Sequence, residues 1–386
     1  MNFTVNRPAA IGLALLFMLL CFTRPALAAD TVRVLVMEDV DKIALQIPSG
    51  YSVEDKTGEG VFQPEGGSEG GIGAGAGGGN ITMDSSDSSM EGIKVNAGSL
   101  VININEFALT GVVEIRRNAR GLFSIINELG IEEYIRAVVG EEMSPGWPIE
   151  ALKAQAVVTR TYTLFRKARS GKADYDLCAT VNSQVFTGGA KEKEGPARAA
   201  METEGEVLTH DGRLVEALYH SSCGGTTEDS KDVWDRKVDC LKSQDCSCGS
   251  QSPYRSWEKA LSADDIEKAM NDGGHKVSGI TSIKVIKKTR SGRASLVWVE
   301  SEGTEITLKG NEFRRVVGYS KLPSTYFTVK KSGGSFMFTG KGSGHGVGLC
   351  QWGAKVMADD GKDYREILGH YYPGAKVERP GTEEGR

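Results

Sequence analysis

A glycine-rich segment limits how this chain can fold. Residues 58–79 are about half glycine and contain few large apolar side chains, so burial cannot offset the entropy lost when they become ordered. A glycine loop that cradles phosphate would lead into a helix start, and none follows here. We therefore predict a flexible loop over 58–92, between an N-terminal strand region at 29–57 and a main domain at 93–375, with a polar tail at 376–386.

The first 28 residues have the pattern of a secretory signal peptide. Arg7 precedes an apolar stretch from Ile11 to Phe22, and Ala26-Leu27-Ala28 supplies small residues ahead of a cleavage point. That stretch is short for a membrane span, and no later run is long and apolar enough to cross a bilayer. The sequence thus predicts a mature protein without a transmembrane segment, secreted or periplasmic.

Composition and charge exclude one class of partner. The chain has 386 residues, of which 25% are charged and 39% hydrophobic, as in ordinary globular proteins. Loss of Arg7 and Arg24 with the signal peptide changes the formal net charge from −5 to −7. Nucleic-acid-binding proteins carry a basic surface, so we expect no nucleic-acid partner.

Residue periodicity predicts an α+β fold rich in β-hairpins. Alternating and β-branched residues indicate strands at 31–36, between 99 and 127, and in hairpins at 295–310 and 326–340. In a further hairpin, Asp211-Gly212 supplies the positive-φ turn. Apolar residues at helical spacing predict helices near 131–143, 148–169, 262–272 and 352–359. The first two helices each place a charged residue on their apolar face.

Six cysteines remain once Cys21 leaves with the signal peptide. An even number in an oxidising compartment favours disulfides, and we expect them to link Cys223 to the neighbouring cysteines. A zinc site built from this cluster and His220 is the alternative. The remaining cysteines are Cys178, Cys223, Cys240, Cys246, Cys248 and Cys350.

Glu142 lies where the helical period calls for a core residue. At about 100° per residue, Glu142 lies about 20° from Ile131, within the apolar stripe of the helix. Glu141 lies at about 280°, on the edge of that stripe. Burial and the negative end of the helix dipole would both raise the pKa of Glu142. The alternative is a helix that frays at Ser144-Pro145 and leaves Glu142 in solvent.

The next helix also carries a charge on its apolar face. Arg160 lies about 20° from Ile149, and a buried guanidinium needs a partner because an unpaired charge is costly. Glu142 or a substrate group could be that partner, and an ordinary structural ion pair is the alternative. Glu132 and its neighbour turn away from the apolar stripe of the preceding helix.

Recognisable motifs extend from about residue 120 to 375. They are EEYIRAVVGEEMSPGWPIEALKAQAVVTRTYTLFR, VNSQVFTG (181–188), ALYHSSCGGTTEDSKDVW (217–234), SPYRSW (252–257), GHGVGLCQWGA (344–354) and ILGHYYPGA (367–375). In this order they resemble the SpoIID/LytB family, the stage II sporulation protein D group of peptidoglycan-acting proteins. The resemblance implies a SpoIID-like domain that acts on glycan strands.

The resemblance also implies a catalytic residue. The family's glutamate corresponds to Glu142, the residue that periodicity places on the apolar face. In the implied lytic transglycosylase reaction, this carboxyl group protonates the glycosidic oxygen between N-acetylmuramic acid and N-acetylglucosamine. It then accepts a proton from the muramyl C6 hydroxyl, which closes a 1,6-anhydro ring. Glu141 is disfavoured as a second carboxylate, because neighbours on a helix point about 100° apart.

Further site residues follow from the same motifs. His220 ends a strand, where its side chain can line a cleft, and Trp352 could stack on a sugar, although a core tryptophan is more usual. His370 is interpreted as a structural histidine. The predicted substrate-binding residues are Gln155, Arg160, His220, Ser221, His345, Gln351 and Trp352.

One departure from the family pattern concerns zinc. Some sporulation members have a His-Cys pair before the segment VNSQVFTG and another cysteine upstream, and together these bind zinc. This chain keeps Cys178 but has Asn182-Ser183 at the pair. With two ligands missing, we expect no zinc at that site, and no metal or cofactor for the reaction. Cys178 would then be free to pair with Cys350.

The resemblance therefore implies a peptidoglycan lytic transglycosylase whose partners are glycan strands and a cell-wall amidase. The alternative is a non-catalytic wall-binding module that enhances an amidase, as the LytB branch is described. A metallo-amidase would need a His/Glu zinc constellation, which the sequence lacks.

Overall fold

The computed structural model describes residues 31–47, 52–55, 79–84, 92–171, 173–180, 183–189 and 193–379. The predicted signal peptide lies outside these residues, as does most of the glycine-rich segment. Within the described part of the chain, none of the helices is both long enough and apolar enough to cross a membrane. The described residues form several sheets and eight helices, which confirms the predicted α+β class.

An eight-stranded sheet forms the largest layer. Its strand order is β4-β2-β5-β6-β7-β1-β8, and β3 also pairs with β5. β1 runs antiparallel to β7 and parallel to β8. The strands are β1 (Thr31–Val40), β2 (Lys42–Ile47), β3 (Ser52–Asp55), β4 (Gly79–Asp84), β5 (Gly92–Ile104), β6 (Phe107–Arg117), β7 (Phe123–Gly130) and β8 (Leu177–Cys178).

Part of the segment predicted as a loop is a strand. β4 pairs antiparallel with β2, in a register that places Ile81 opposite Leu45 and Met83 opposite Ile43. The run NITM alternates polar and apolar residues as a strand does. The prediction of a loop over all of 58–92 was wrong here, because the glycine content of the segment before it concealed this short alternation.

In the described part of the chain, eight helices connect and cover the sheets. α1 and α2 match the two helices predicted near 131–143 and 148–169. α2 begins directly after Pro148, whose carbonyl accepts bonds from the amides of Ala151 and Leu152 at 3.0 and 3.2 Å. The helices are α1 (Ile131–Glu142), α2 (Ile149–Ser170), α3 (Glu194–Glu202), α4 (Ser230–Trp234), α5 (Ala263–Asp272), α6 (Gly310–Val317), α7 (Gln351–Asp359) and α8 (Tyr364–Tyr371).

The remaining strands form small sheets. The predicted hairpin turn is confirmed, with φ of 50° at Asp211 and 70° at Gly212. The start of the predicted polar tail, Lys376–Glu378, is a strand that pairs with β9. These strands are β9 (Val207–His210), β10 (Arg213–Leu214), β11 (Tyr219–His220), β12 (Trp257–Ser262), β13 (Ser282–Lys288), β14 (Ala294–Ser301), β15 (Thr304–Lys309), β16 (Phe327–Ser332), β17 (Ser335–Gly340), β18 (Leu349–Cys350) and β19 (Lys376–Glu378).

The region predicted as one main domain contains two hydrophobic cores. The larger core joins the eight-stranded sheet to α1, α2, α7 and α8. The smaller core lies within residues 261–338 and joins α5 and α6 to strands β12 to β17. Glu142 and its hydrogen-bond partners belong to segments that pack around the larger core, so that core positions the candidate site.

Candidate active site

Glu142 is the last residue of α1. The helix stops at the approach to Pro145, since a proline disfavours helical backbone in the residue before it. The Met143 amide bonds to the Val139 carbonyl at 3.1 Å, and Met143 is buried. The end of the helix is therefore fixed, and Glu142 is half-buried. The alternative of a frayed helix with Glu142 in solvent was wrong.

Three hydrogen-bond donors from distant segments hold the carboxyl group of Glu142. Its Oε1 accepts a bond from the backbone amide of Val185 at 3.0 Å and one from the hydroxyl of Tyr219 at 2.9 Å. Its Oε2 accepts a bond from Nε2 of Gln351 at 3.3 Å. A carboxyl group held by donors on both oxygens keeps one orientation, as general acid–base catalysis requires.

Burial raises the pKa of Glu142 above its ordinary value, and the charge of Glu141 acts in the same direction. The three hydrogen bonds lower that pKa but do not outweigh burial. The predicted direction of the shift is thus confirmed, with desolvation as its main cause. A carboxyl group of this kind can hold a proton closer to neutral pH than an exposed glutamate can.

Parallel pairing of β11 with β18 brings two of the donors together. The register joins Tyr219 to Leu349 and His220 to Cys350, so Gln351, the residue after β18, lies beside the same strand end. Burial, and then the charge of Glu142, raise the pKa of Tyr219 well above its ordinary value. Tyr219 therefore remains a neutral hydrogen-bond donor to Glu142.

A layer of buried polar side chains lies behind the carboxyl group. Gln155 Oε1 accepts a long bond of 3.5 Å from Gln351, and Gln155 Nε2 donates to Thr159 at 3.0 Å. The hydroxyl of Tyr134 donates to Gln184 at 3.2 Å. Gln155 is fully buried, so its place is behind Gln351, which it helps to orient.

Two tryptophans lie next to the segments that carry the site. Trp352 follows Gln351, and Trp147 follows the end of α1; their ring centroids are 4.8 Å apart in an edge-on arrangement. Both are half-buried, which leaves part of each ring available to a ligand. Ser221 holds the Trp352 segment through its backbone, because its carbonyl accepts a hydrogen bond from the amide of Trp352 at 3.1 Å.

The structure does not bring the two predicted site histidines to Glu142. The Nδ1 atom of His220 lies 3.2 Å from the carbonyl oxygen of Val347, and its ring lies 5.6 Å from that of His345. His345 instead lines a small cavity with residues of α4, β14, β15 and α6. Among the described residues, the hydrogen bonds to Glu142 include none from a histidine. Successive strand residues point to opposite faces, so Tyr219 faces Glu142 and His220 does not.

Arg160 has a structural role. Its Nε and Nη2 donate to the two carboxylate oxygens of Glu132, both at 2.7 Å. Its remaining bonds go to the carbonyls of Ala200 and Glu206, at 3.2 and 3.1 Å. Its side chain is 1% exposed. The alternative of an ordinary structural ion pair is confirmed, and Glu132, which periodicity turns away from the apolar stripe, takes the place proposed for Glu142. Binding of substrate by Arg160 stays a prediction.

Known proteins resemble a part of this chain that includes Glu142. A family model described as Stage II sporulation protein matches residues 119–210. An uncharacterized protein of Brachyspira hyodysenteriae is 35% identical over 255 residues, 66% of this chain and 68% of that protein. The Stage II sporulation protein D of Bacillus subtilis is 27% identical over 65% of this chain and 75% of its own length. The chain belongs to the SpoIID/LytB family.

A further relative is longer than this chain. The amidase enhancer of Bacillus subtilis is 31% identical over 292 residues, which cover 63% of this chain but 40% of that protein. A second family model, described as a domain of unknown function, matches residues 233–348. These residues include the smaller hydrophobic core. The SpoIID match and the second match therefore fall on different parts of the fold, and Glu142 lies in the first.

One part of the cysteine prediction for this SpoIID/LytB chain, the pairing of Cys178, does not match the structure. Cys350 lies beside Cys223, with the Cys223 amide donating to the Cys350 sulfur at 3.3 Å. The Cys178 sulfur lies beside the hydroxyls of Thr180 and Ser183 instead, at 3.4 and 3.3 Å. The predicted Cys178–Cys350 pair was wrong, because β18 holds Cys350 against the segment after β11.

The family zinc position is described only in part. Asn182, one of the two residues at the position of the missing ligand pair, lies outside the described residues. Within the described ranges, the grouping of side chains suited to a metal does not include Cys178. The absence of zinc at that position stays a prediction.

Sequence reasoning missed three groups that form the site. Tyr219 stands directly before His220 in the motif ALYHSSCGG, and strand alternation allows only one of these two neighbours to face the glutamate. The Val185 amide is a backbone group, which no side-chain pattern can indicate. Trp147 ends the run MSPGW, where an aromatic residue in a proline–glycine break could have suggested an exposed ring.

Proposed function

We propose that this SpoIID/LytB protein is a peptidoglycan lytic transglycosylase in which Glu142 acts first as acid and then as base. The observation that supports this most is the half-buried Glu142 carboxyl group, oriented by three donors and with a raised pKa. We also propose that the protein works outside the cytoplasm, on the basis of residues 1–28.

The reaction needs one carboxyl group that is used twice. Protonated Glu142 gives its proton to the oxygen that links N-acetylmuramic acid to N-acetylglucosamine, and the glycosidic bond breaks. The resulting carboxylate takes a proton from the muramyl C6 hydroxyl, whose oxygen bonds to C1 and closes a 1,6-anhydro ring. The proton count balances, and no water is consumed. Tyr219 and Val185 hold Oε1 in place through both steps.

The surroundings of Glu142 fit a single-carboxylate mechanism. Glycoside hydrolases use two carboxyl groups, about 5–9.5 Å apart, to activate water or to attack the sugar. The neighbouring Glu141 is exposed and lies 3.3 Å from Lys193 in an ion pair. In the described part of the chain, the donors that hold Glu142 contact no second carboxylate. The substrate's own hydroxyl would replace the missing group.

Binding without cleavage is the second candidate function. The amidase enhancer of Bacillus subtilis is among the relatives, and the half-exposed pair Trp147 and Trp352 could contact sugar rings in a protein that only binds. In that case Glu142 would act as a hydrogen-bond partner of the glycan. A cell-wall amidase would then be the partner that the bound protein stimulates.

The chemistry of the product ends separates these functions. We expect glycan strands stripped of stem peptides to be cut by the purified protein into fragments that end in 1,6-anhydro-N-acetylmuramic acid. Mass spectrometry detects these ends as lacking one water relative to reducing ends. Reducing muramic ends would mean a hydrolase with a second carboxylate. Binding of strands without any cleavage would support the amidase-enhancing function and contradict the transglycosylase.

Substitution of Tyr219 should shift the pH dependence of cleavage. The Tyr219 bond lowers the pKa of Glu142, so Tyr219→Phe should raise that pKa further. Because the first step needs protonated Glu142, kcat/KM falls as pH rises through this pKa, and in the variant the fall should move to higher pH. Tyr364→Phe is the matched control, since its hydroxyl bonds to the Glu206 carboxylate at 2.9 Å. If kcat/KM falls at the same pH in Tyr219→Phe as in the wild type, the assignment of Glu142 as the acid held by Tyr219 is contradicted.

A further inference from the structure

Four cysteines meet at one point beside the candidate active site. Their sulfur atoms all lie within 4.8 Å of one another, and three of the four side chains are buried. They come from three separate parts of the chain: one follows β11, two flank Ser247 at the start of the 3-10 turn Ser247–Ser250, and one ends β18. The cluster consists of Cys223, Cys246, Cys248 and Cys350, and we call it the four-cysteine cluster.

We propose that the four-cysteine cluster binds one zinc ion through four thiolates. Zinc–sulfur bonds of about 2.3 Å in a tetrahedron place neighbouring sulfurs about 3.8 Å apart. The distances between the four sulfurs, all within 4.8 Å, fit that spacing. Tetrahedral sulfur ligation is typical of zinc. The site would be structural, because four protein ligands leave no position open for water or substrate.

Donors around the cluster suit charged sulfurs. The amides of Cys223 and Gly353 both point at the Cys350 sulfur, at 3.3 and 3.4 Å, and the Gly225 amide points at the Cys223 sulfur at 3.3 Å. Such bonds from outside the ligand shell orient metal-bound groups and stabilise their charge. The buried guanidinium of Arg293 donates to the Cys223 carbonyl at 2.5 Å. Four thiolates carry more negative charge than one zinc ion neutralises. The positive charge of Arg293 lies beside this site.

Two disulfides are the competing use of the same sulfurs. Cys246 and Cys248 flank a single residue and are poorly placed to bond to each other, so both would have to bond across to Cys223 and Cys350. The Cys223 and Cys248 sulfurs, 3.3 Å apart, are one candidate pair. Disulfides would need only separate pairs, however, whereas here all four sulfurs are mutual neighbours, and those of Cys223 and Cys350 accept backbone amides. That arrangement favours a metal.

The position of the cluster links it to Glu142. Cys350 precedes Gln351, which donates to Glu142, and Cys223 follows the strand that carries Tyr219. A zinc ion would therefore fasten together the two segments that supply these donors. Cys240 is also buried, but it lies outside the cluster, which makes it a matched control for loss of a buried thiol.

Metal analysis of the full-length protein tests the proposal without reference to any enzymatic activity. Protein purified without chelators should contain one zinc per chain by elemental analysis and by native mass spectrometry. Cys246→Ser should lose the zinc and unfold at a lower temperature, whereas Cys240→Ser and Cys178→Ser should keep it. Protein without metal, with two disulfides found by non-reducing peptide mapping, would overturn the proposal, and so would zinc that survives in Cys246→Ser.

A second measurement tests the proposal even if Cys246→Ser fails to fold. Wild-type protein whose zinc is replaced by Co²⁺ should show the visible absorption of tetrahedral thiolate coordination. That spectrum should be unchanged in Cys178→Ser, which keeps all four ligands. A cobalt spectrum typical of oxygen or nitrogen ligands would contradict the four-cysteine site. If the zinc is found but glycan is not cleaved, the proposed reaction fails and the metal site stands.

Discussion

Glu142→Gln should reduce the rate of glycan cleavage by at least about 10²–10⁴-fold, the usual contribution of general acid–base catalysis. The amide has nearly the same shape and can still accept the bonds from Val185 and Tyr219, but it cannot donate or accept the transferred proton. Strand binding should persist, because the surrounding contacts remain. The measurement is release of anhydro-ended fragments over time, together with binding of the same strands.

The matched control is the neighbouring glutamate. Glu141 is exposed and ion-paired with Lys193, so Glu141→Gln should cleave glycan within a few-fold of the wild-type rate. Equal losses in the two variants would mean that the helix end, and not one carboxyl group, matters. Full activity in Glu142→Gln would contradict the assignment of the acid outright.

Stability gives an independent check on the environment of Glu142. Its pKa is raised in the folded protein by burial, so the folded state binds this proton more tightly than the unfolded state does. The contribution to stability is therefore complete below the unfolded pKa and is lost as pH rises through the folded pKa. Glu142→Gln should remove this dependence and unfold at the same or a higher temperature near neutral pH. Melting curves across pH measure both effects.

Local patterns in the sequence predict the elements that local forces determine. The apolar period of α1 holds to its last residue. A helical wheel that starts at Ile131 therefore places Glu142 correctly on the inward face. The turn at Asp211 and Gly212 needs positive φ, which this pair adopts readily. α8 was missed although its capping box is legible, with Asp363 and Glu366 bonding to each other's amides.

Contacts between distant segments decide the rest of the site. Whether Tyr219 or His220 faces the glutamate depends on the parallel pairing of β11 with a strand more than a hundred residues later. The same pairing brings Cys350 to Cys223, which no spacing in the sequence indicates. A helical wheel of α2 shows that Arg160 faces inward, but it does not show which carboxylate forms an ion pair with it. These features depend on tertiary packing, and sequence periodicity carries no information about them.

Removal of Glu132 should have the largest effect on stability. The Arg160 side chain is 1% exposed, and both oxygens of Glu132 accept its bonds at 2.7 Å. Breaking a buried pair by removing one partner typically costs about 3–5 kcal/mol, because the remaining charge stays buried without compensation. We expect Glu132→Ala to lower the free energy of unfolding by about that amount, as measured by urea denaturation.

Two comparisons separate this effect from a general loss of helix stability. Glu141→Ala removes a carboxylate from the same helix, but its pair with Lys193 is at the surface, so the change should be below about 1 kcal/mol. Replacing both members of the pair, as Glu132→Leu with Arg160→Met, should recover much of the loss, because the buried Arg160 charge is then removed together with its partner. If the double variant were as unstable as Glu132→Ala, the cost would lie in packing around α2, and the buried charge would not explain it.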